Sequence, residues 1–347
     1  MSIRIAIVGP TSYTALWLIR LIRRHPNAAV TYLASQRDEL PMIDQEFPHL
    51  RGLVDARCRP IDPEAIADAA DVVFTCVPHV AAMQHVPALL AAGLRVIDLS
   101  ADYRLRDAAE YETVYGHAHS DVENLKHAVY GLSEWFAERI ADARLVANPG
   151  CYPTTAALAI LPLLEANLAK PTGIVINAAS GVTGAGVTGA GRSVKPNLHF
   201  AEVNEGFTTY NPGIHRHQPE IIQTLRTLTG RAASALFVPH LLPINTGIFE
   251  TVYLDAVDDE PSEQDLLDVL SETYRNQPFV RVSRELPNIK HVRDTNFCDI
   301  AVRLAGPEDA RKIILFSTLD NMIKGASGQA LQNMNLMFRQ DPAAGLF

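Results

Sequence analysis

Cysteine is scarce in this chain and scattered. Its 347 residues include four, Cys58, Cys76, Cys151 and Cys298, with no C-x-x-C or other ligand spacing, which argues against a zinc centre and against a disulfide framework. Basic residues are too few for a nucleic-acid or polybasic membrane surface. Lys and Arg number 30 against 39 Asp and Glu, for a net charge of −9, and they form no run. No apolar stretch reaches membrane-spanning length, and Met1 to Gly9 lacks the charged and apolar regions of an export signal. The expectation is a cytoplasmic protein with reduced thiols. None of this excludes a small anionic substrate, because a local cationic pocket can sit in an acidic protein. What remains is an ordinary globular composition, 48% hydrophobic and 20% charged, long enough for two packed domains.

The first half alternates strand and helix. Ile3 to Val8 is a β-branched run suited to a buried parallel strand, followed by Gly9-Pro10-Thr11-Ser12-Tyr13-Thr14-Ala15 and a helical pattern over residues 16–23. Further strands are predicted over 30–34, 72–77 and 95–99, with helical segments over 63–69 and 80–92. This order predicts an α/β fold with a Rossmann-type doubly wound parallel sheet, whose first turn receives a pyrophosphate at a helix N-terminus. Gly9, Ser12 and Ala15 keep the spacing of a G-x-x-G-x-x-G loop with only the first glycine retained. Serine adds a hydroxyl but would be strained if its backbone needed a positive φ. After the second strand, Ser35 and Arg37 stand where an NAD site wants an acid, which points to the 2′-phosphate of NADP, although Asp38 and Glu39 come next. Asp98-Leu99-Ser100-Ala101-Asp102-Tyr103-Arg104 follows the fourth strand, on the edge where such sheets bind ligands, and Arg104 suits a phosphate or carboxylate.

The second half begins at Asn148-Pro149-Gly150-Cys151-Tyr152-Pro153-Thr154-Thr155, where a Pro-Gly turn feeds a helix over 156–164. A sulfur at a helix N-terminus faces unpaired N–H groups and the positive end of the macrodipole, which favours the nucleophilic thiolate. A buried, inert cysteine is the competing reading. A strand over 173–178 leads into Ser180-Gly181 and a tandem Gly-Val-Thr-Gly-Ala at 181–190. Next come His199-Phe200-Ala201-Glu202-Val203-Asn204 and His215-Arg216-His217-Gln218-Pro219-Glu220, before a helix over 220–229. In an extended segment His215 and His217 face one side. An imidazole near neutrality can protonate a developing alkoxide; zinc is the other use, but no third ligand is at hand.

Together these motifs, with Tyr130-Gly131-Leu132, Asp320-Asn321-Met322-Ile323-Lys324-Gly325-Ala326 and Gln329-Ala330, resemble the N-acetyl-γ-glutamyl-phosphate reductases over nearly the whole chain. The resemblance implies an NADP-binding domain over 1–148 and 319–347 and an α+β catalytic and dimerisation domain over 149–318. It implies Cys151 as the acylated nucleophile and His217 as acid/base, with His215 close by. Gly9, Thr11, Ser12, Tyr13, Thr14, Ser35, Arg37, Ser180, Gly181 and Asn321 would serve the cofactor. Ser100, Arg104, Asn148, Glu202 and His215 would serve the substrate, and no metal is implied. The implied reaction is NADPH-dependent reductive dephosphorylation of a small acyl phosphate through a Cys151 thioester, in a homo-oligomer without nucleic-acid or membrane partners. A sister reductase acting on aspartyl or aminoadipyl phosphate, and a non-catalytic NADP-binding relative, are the other readings.

Overall fold

The computed structural model describes residues 2–184, 198–257, 261–306 and 311–347, which divide into two compact units. The first unit contains residues 2–149 and 326–347; the second takes the described residues between 150 and 325.

The first unit holds a six-stranded parallel sheet of β1 (Ile3–Val8), β2 (Ala28–Ala34), β3 (Val72–Thr75), β4 (Arg95–Asp98), β5 (Val129–Tyr130) and β6 (Leu145–Ala147). Their order is β2-β1-β3-β4-β6-β5. β3 is buried along its whole length and β1 everywhere but Arg4, the burial expected of strands covered on both faces. The chain leaves β1 toward β2 and leaves β3 toward β4, so the strand order reverses between β1 and β3. Ligands of open α/β sheets bind outside such a point. The helix Gly328–Met337 returns to this unit and packs against the helices Ser133–Ala141 and Tyr13–Ile22. Its Gln329 and Asn333 amides both donate to the Gly131 carbonyl.

The second unit is built on a mixed seven-stranded sheet: β7 (Ile174–Ser180), β8 (Thr208–Thr209), β9 (Ala235–Leu241), β10 (Ile248–Asp255), β11 (Val280–Val282), β12 (Cys298–Ala305) and β13 (Lys312–Leu319). Their order is β11-β12-β13-β10-β7-β9-β8. The helix Cys151–Glu165 packs on β10 and β13, His217–Thr229 on β9, and Glu263–Tyr274 on β11 and β12. Along β10 burial alternates: Ile248, Glu250, Val252 and Leu254 are buried, while Phe249, Thr251 and Tyr253 stay partly open on the other face.

The chain returns to the first unit at 326 rather than at 319. Leu319 is paired within β13, and the Asp320 carboxylate accepts the N–H groups of Asp294, Met322 and Ile323. Those bonds keep residues 320–325 with the second unit.

Candidate active site

Cys151 is the first residue of its helix. Gly150, at the N-cap, brings no side chain to the helix end, and Pro153 brings no N–H, so local sequence leaves this terminus without a self-made cap. Cys151 is partly exposed, whereas Cys58, Cys76 and Cys298 are buried. Burial pushes the Cys58 thiol up to about 11 and Cys76 up to about 12, so both stay protonated and unreactive. The chain passes very close to Cys151 at Gly325, where a Cβ would fall 2.6 Å from the Cys151 Cβ; only glycine leaves room.

A second helix start is clamped to the first. The Gly150 N–H donates to Glu220 Oε1 at 2.8 Å, and the Glu220 side chain is buried. Glu220 lies three residues into the helix His217–Thr229, so this bond fixes His217 with respect to the cysteine turn. The helix begins at His217 rather than at Glu220, and Arg216 already has helical backbone angles. The His-x-His segment is therefore not extended. Instead, the His217 N–H donates to His215 Nδ1 at 3.1 Å, so one imidazole serves the backbone of the other. The Tyr152 ring meets His215 and His217 edge-on, with centroids 5.8 and 5.7 Å away. The Tyr152 and Tyr210 hydroxyls lie 3.0 Å apart. Burial, reinforced by the Arg216 charge, pushes His215 down to about 4, which keeps it neutral near pH 7.

Three residues expected at the cofactor also lie in this unit. The Ser180 hydroxyl donates to the Gly181 carbonyl, and the Gly181 N–H donates to Gly247. Asn321 accepts from the Gly247 N–H at 2.7 Å and donates to Thr183 Oγ1 at 3.0 Å. Together they tie the end of β7 to the 244–247 turn. Glu202 is exposed on the short helix Phe200–Val203. The second Gly-Val-Thr-Gly-Ala copy lies outside the described residues. Among the described residues no group of three or more His, Cys, Asp or Glu side chains could hold a metal ion.

In the first unit, the turn after β1 is built on one obligatory glycine and a capping serine. Gly9 has φ +80°, and a Cβ there would fall 2.5 Å from the Cys76 carbonyl oxygen, so only glycine serves. Ser12 has φ −85° and no strain; it caps the helix Tyr13–Ile22 by accepting the Ala15 N–H at 3.1 Å. The glycine missing from the motif is thus replaced by a capping serine. Thr14 is buried at the start of the helix, Thr11 is partly exposed and Tyr13 is open. Past β2, Ser35 Oγ accepts the Arg37 N–H, and Arg37 pairs with Glu46 at 2.7 Å.

The Asp98–Arg104 loop is bound inwardly. The buried Asp98 carboxylate accepts from Thr75 Oγ1 at 2.6 Å and Ser100 Oγ at 2.7 Å. Burial, with Asp102 nearby, raises it to about 6. Arg104 is buried and donates to the carbonyls of Asn148 and Leu99. Asn148 accepts from Asn333 and donates to the Ala326 carbonyl. The Asp102 carboxylate accepts the N–H groups of Val80, Ala82 and Met83 and so caps the helix Ala82–Ala91 from a distance.

Residues 4–143 match the model of the semialdehyde dehydrogenase NAD binding domain, and residues 151–321 match that of the semialdehyde dehydrogenase dimerisation domain. The N-acetyl-gamma-glutamyl-phosphate reductase of Symbiobacterium thermophilum is 46% identical over 100% of this chain and 98% of its own length. The chain belongs to the N-acetyl-γ-glutamyl-phosphate reductase family. The reductase of that name from Syntrophobacter fumaroxidans is 45% identical, over 96% of this chain and 95% of its own. Solved structures agree on the fold. Aspartate semialdehyde dehydrogenase II of Vibrio cholerae, complexed with ASA, superposes with a TM-score of 0.72 at 15% identity, covering 98% of this chain and 99% of that one. Aspartate semialdehyde dehydrogenase of Candida albicans, with NADP, gives 0.72 at 14%, covering 97% and 99%. Glu220 and Gly325 lie inside motifs of the sequence that give them no role, and only their contacts with the cysteine turn reveal one. A glutamate three positions after His217, at a helix start, is the sequence signal that could have marked Glu220.

Proposed function

We propose that this chain reduces N-acetyl-γ-glutamyl phosphate to N-acetylglutamate semialdehyde, releasing phosphate, with NADPH as reductant and a Cys151 thioester as intermediate. The observation that carries this reading is the joined pair of helix starts. Glu220 holds the Gly150 N–H, and this sets Cys151 and His217 at the N-termini of two packed helices. The Cys151 thiolate attacks the γ-carbonyl carbon, the carbon–oxygen bond to phosphate breaks, and phosphate leaves with that electron pair. The bound cofactor supplies a hydride to the acyl carbon. The resulting thiohemiacetal oxygen takes a proton from His217, the assigned group, and returns it as the carbon–sulfur bond breaks, which frees the aldehyde and the thiolate. Because His215 is held neutral by burial, its part is to bind substrate and to orient the His217 backbone.

Gly9, Thr11, Ser12, Tyr13 and Thr14 are assigned to the cofactor phosphates, and Ser35 and Arg37 to the ribose 2′-phosphate, which favours NADP over NAD. Ser180, Gly181 and Asn321 are assigned to the same cofactor by family likeness. Ser100, Arg104, Asn148 and Glu202 are assigned to the substrate, with Arg104 the group suited to phosphate charge. A homo-oligomer is the proposed assembly. It is supported by the dimerisation-domain match and by the partly open apolar side chains Phe249, Tyr253 and Phe316 on the sheet face away from the helices. No helix among the described residues is long and apolar enough to cross a membrane.

The test is the reverse reaction: NADP⁺ reduction with N-acetylglutamate semialdehyde, followed by nicotinamide absorbance. Reduction that requires phosphate and is absent with aspartate semialdehyde supports the reading. NADP⁺ binding without any such turnover refutes it.

A further inference from the structure

At the C-terminal end of β2 a groove of about 690 Å³ is lined by Ser35, Gln36, Arg37, Asp38, Leu40, Pro60, Ile61 and His85. Ser35 and Arg37 are the residues assigned above to the ribose 2′-phosphate. His85 comes from a different element, the helix Ala82–Ala91, and among the described residues brings the one imidazole of the groove's lining. Gln36 Nε2 donates to His85 Nε2 at 2.7 Å, a bond that requires an unprotonated ring nitrogen. Burial alone pushes His85 below its ordinary range, in keeping with that neutral form. The charged groups facing it are Arg37 and Asp38 on the β2 side; Pro60 and Ile61 opposite bring none, and its own helix adds no other lining residue. Arg37 is already paired with Glu46 at 2.7 Å, and Asp38 opposes an incoming anion. Arg37 is thus shared with a carboxylate, while a side chain that becomes a donor on protonation stands beside it.

We infer that His85 is a specificity-determining residue for the 2′-phosphorylated cofactor, taking up a proton as the phosphate enters the groove and releasing its bond from the Gln36 amide. The inference rests on the NADP reading above. A phosphate dianion beside the ring favours the imidazolium, which then donates a charge-assisted hydrogen bond. The released Gln36 amide N–H is then itself a donor that the phosphate can take up. Affinity for NADP⁺ then falls as pH rises above neutrality, because the proton must be drawn from a more dilute source. Affinity for NAD⁺, which lacks the phosphate, stays flat.

The test is calorimetric titration of the full chain with NADP⁺ and NAD⁺ between pH 6 and 9 (roughly the range in which an imidazole beside a phosphate titrates), in two buffers of different ionisation enthalpy. Wild type, His85→Gln and His85→Leu are compared. Wild type is expected to take up a fraction of a proton with NADP⁺ and none with NAD⁺. Both variants should lose that uptake and bind NADP⁺ about tenfold more weakly at the acid end, a loss of roughly 1.4 kcal/mol, with NAD⁺ affinity unchanged. Equal weakening toward both cofactors would make His85 a packing residue and overturn the inference. A wild-type preference for NADP⁺ that neither variant moves would overturn it while leaving the Ser35–Arg37 reading intact. No preference in the wild type would overturn both.

Discussion

Two turns in this molecule have the same plan and opposite finishes. Each leads from a short buried strand into a helix, after β1 in one unit and after β6 in the chain leading to the other. At the first, Ser12 caps its own helix and satisfies the Ala15 N–H. At the second, glycine takes the cap position, proline stands at the third helical residue, and the chain places a cysteine at the first. A self-capped terminus is stabilised by its own sequence; an uncapped one leaves its positive end open. What local sequence withholds there, Glu220 supplies from another helix through the Gly150 N–H. Stability at the first turn is local, and geometry at the second is tertiary.

Substitutions should separate the two. Cys151→Ser is expected to lower turnover by at least about 10³-fold while leaving NADP⁺ affinity unchanged; titration of cofactor alongside the reverse assay checks both. Loss of binding together with turnover would make the cysteine structural. His217→Asn should cost about 10²–10⁴-fold in turnover, the usual range for a general acid, and more than His215→Asn. The opposite ranking would reassign the proton.

His215 also leaves a thermodynamic mark. Its value falls from 6.5 to about 4 on folding, so between those limits the unfolded chain binds more protons than the native one. Stability therefore rises with pH across that window and is lost as pH falls through it. Denaturation followed between those values should show this slope in wild type and a shallower one in His215→Asn.

Glu220→Ala should come next in size. It removes the acceptor of a buried N–H at a cost of about 1–3 kcal/mol, and turnover should fall further than in Glu220→Gln, which keeps an acceptor oxygen. Equal turnover in the two variants would mean the Gly150 bond is idle in catalysis. Ser12→Ala is the smallest: about 1 kcal/mol of stability from the lost cap, read by chemical denaturation. Ser12→Gly should cost only a few tenths of a kcal/mol, which is how the motif's usual glycine can exchange with serine here.

Sequence reading reached the elements whose signal is local. The runs at Ile3–Val8 and Pro63–Ala69 were legible from β-branching and from a proline at the first helical position, and the structure keeps both. β5 and β6 were not read, because strands of two and three residues carry no periodicity. The helix expected over 80–92 spans Ala82–Ala91, since its cap is Asp102, about twenty residues further along, and no local pattern announces it. The histidine segment looked extended until Glu220 and His215 drew the helix start back to His217.

The sequence by itself determined the order of strands and helices, the parallel sheet and a cysteine poised at a helix entrance, because β-branched runs, prolines and glycines act on their own backbone. It also carried family membership, through motifs spread over the full length. Only tertiary structure decided how exposed each of these side chains is and which partners it meets. Ser100, Arg104 and Asn321 are occupied by neighbouring carbonyls, carboxylates and N–H groups. Cys151 keeps partial exposure, while three identical side chains are buried beyond use. Burial and hydrogen-bond partners set those outcomes, and for Arg104 and Asn321 the partners Asn148 and Gly247 lie 44 and 74 residues away in the chain.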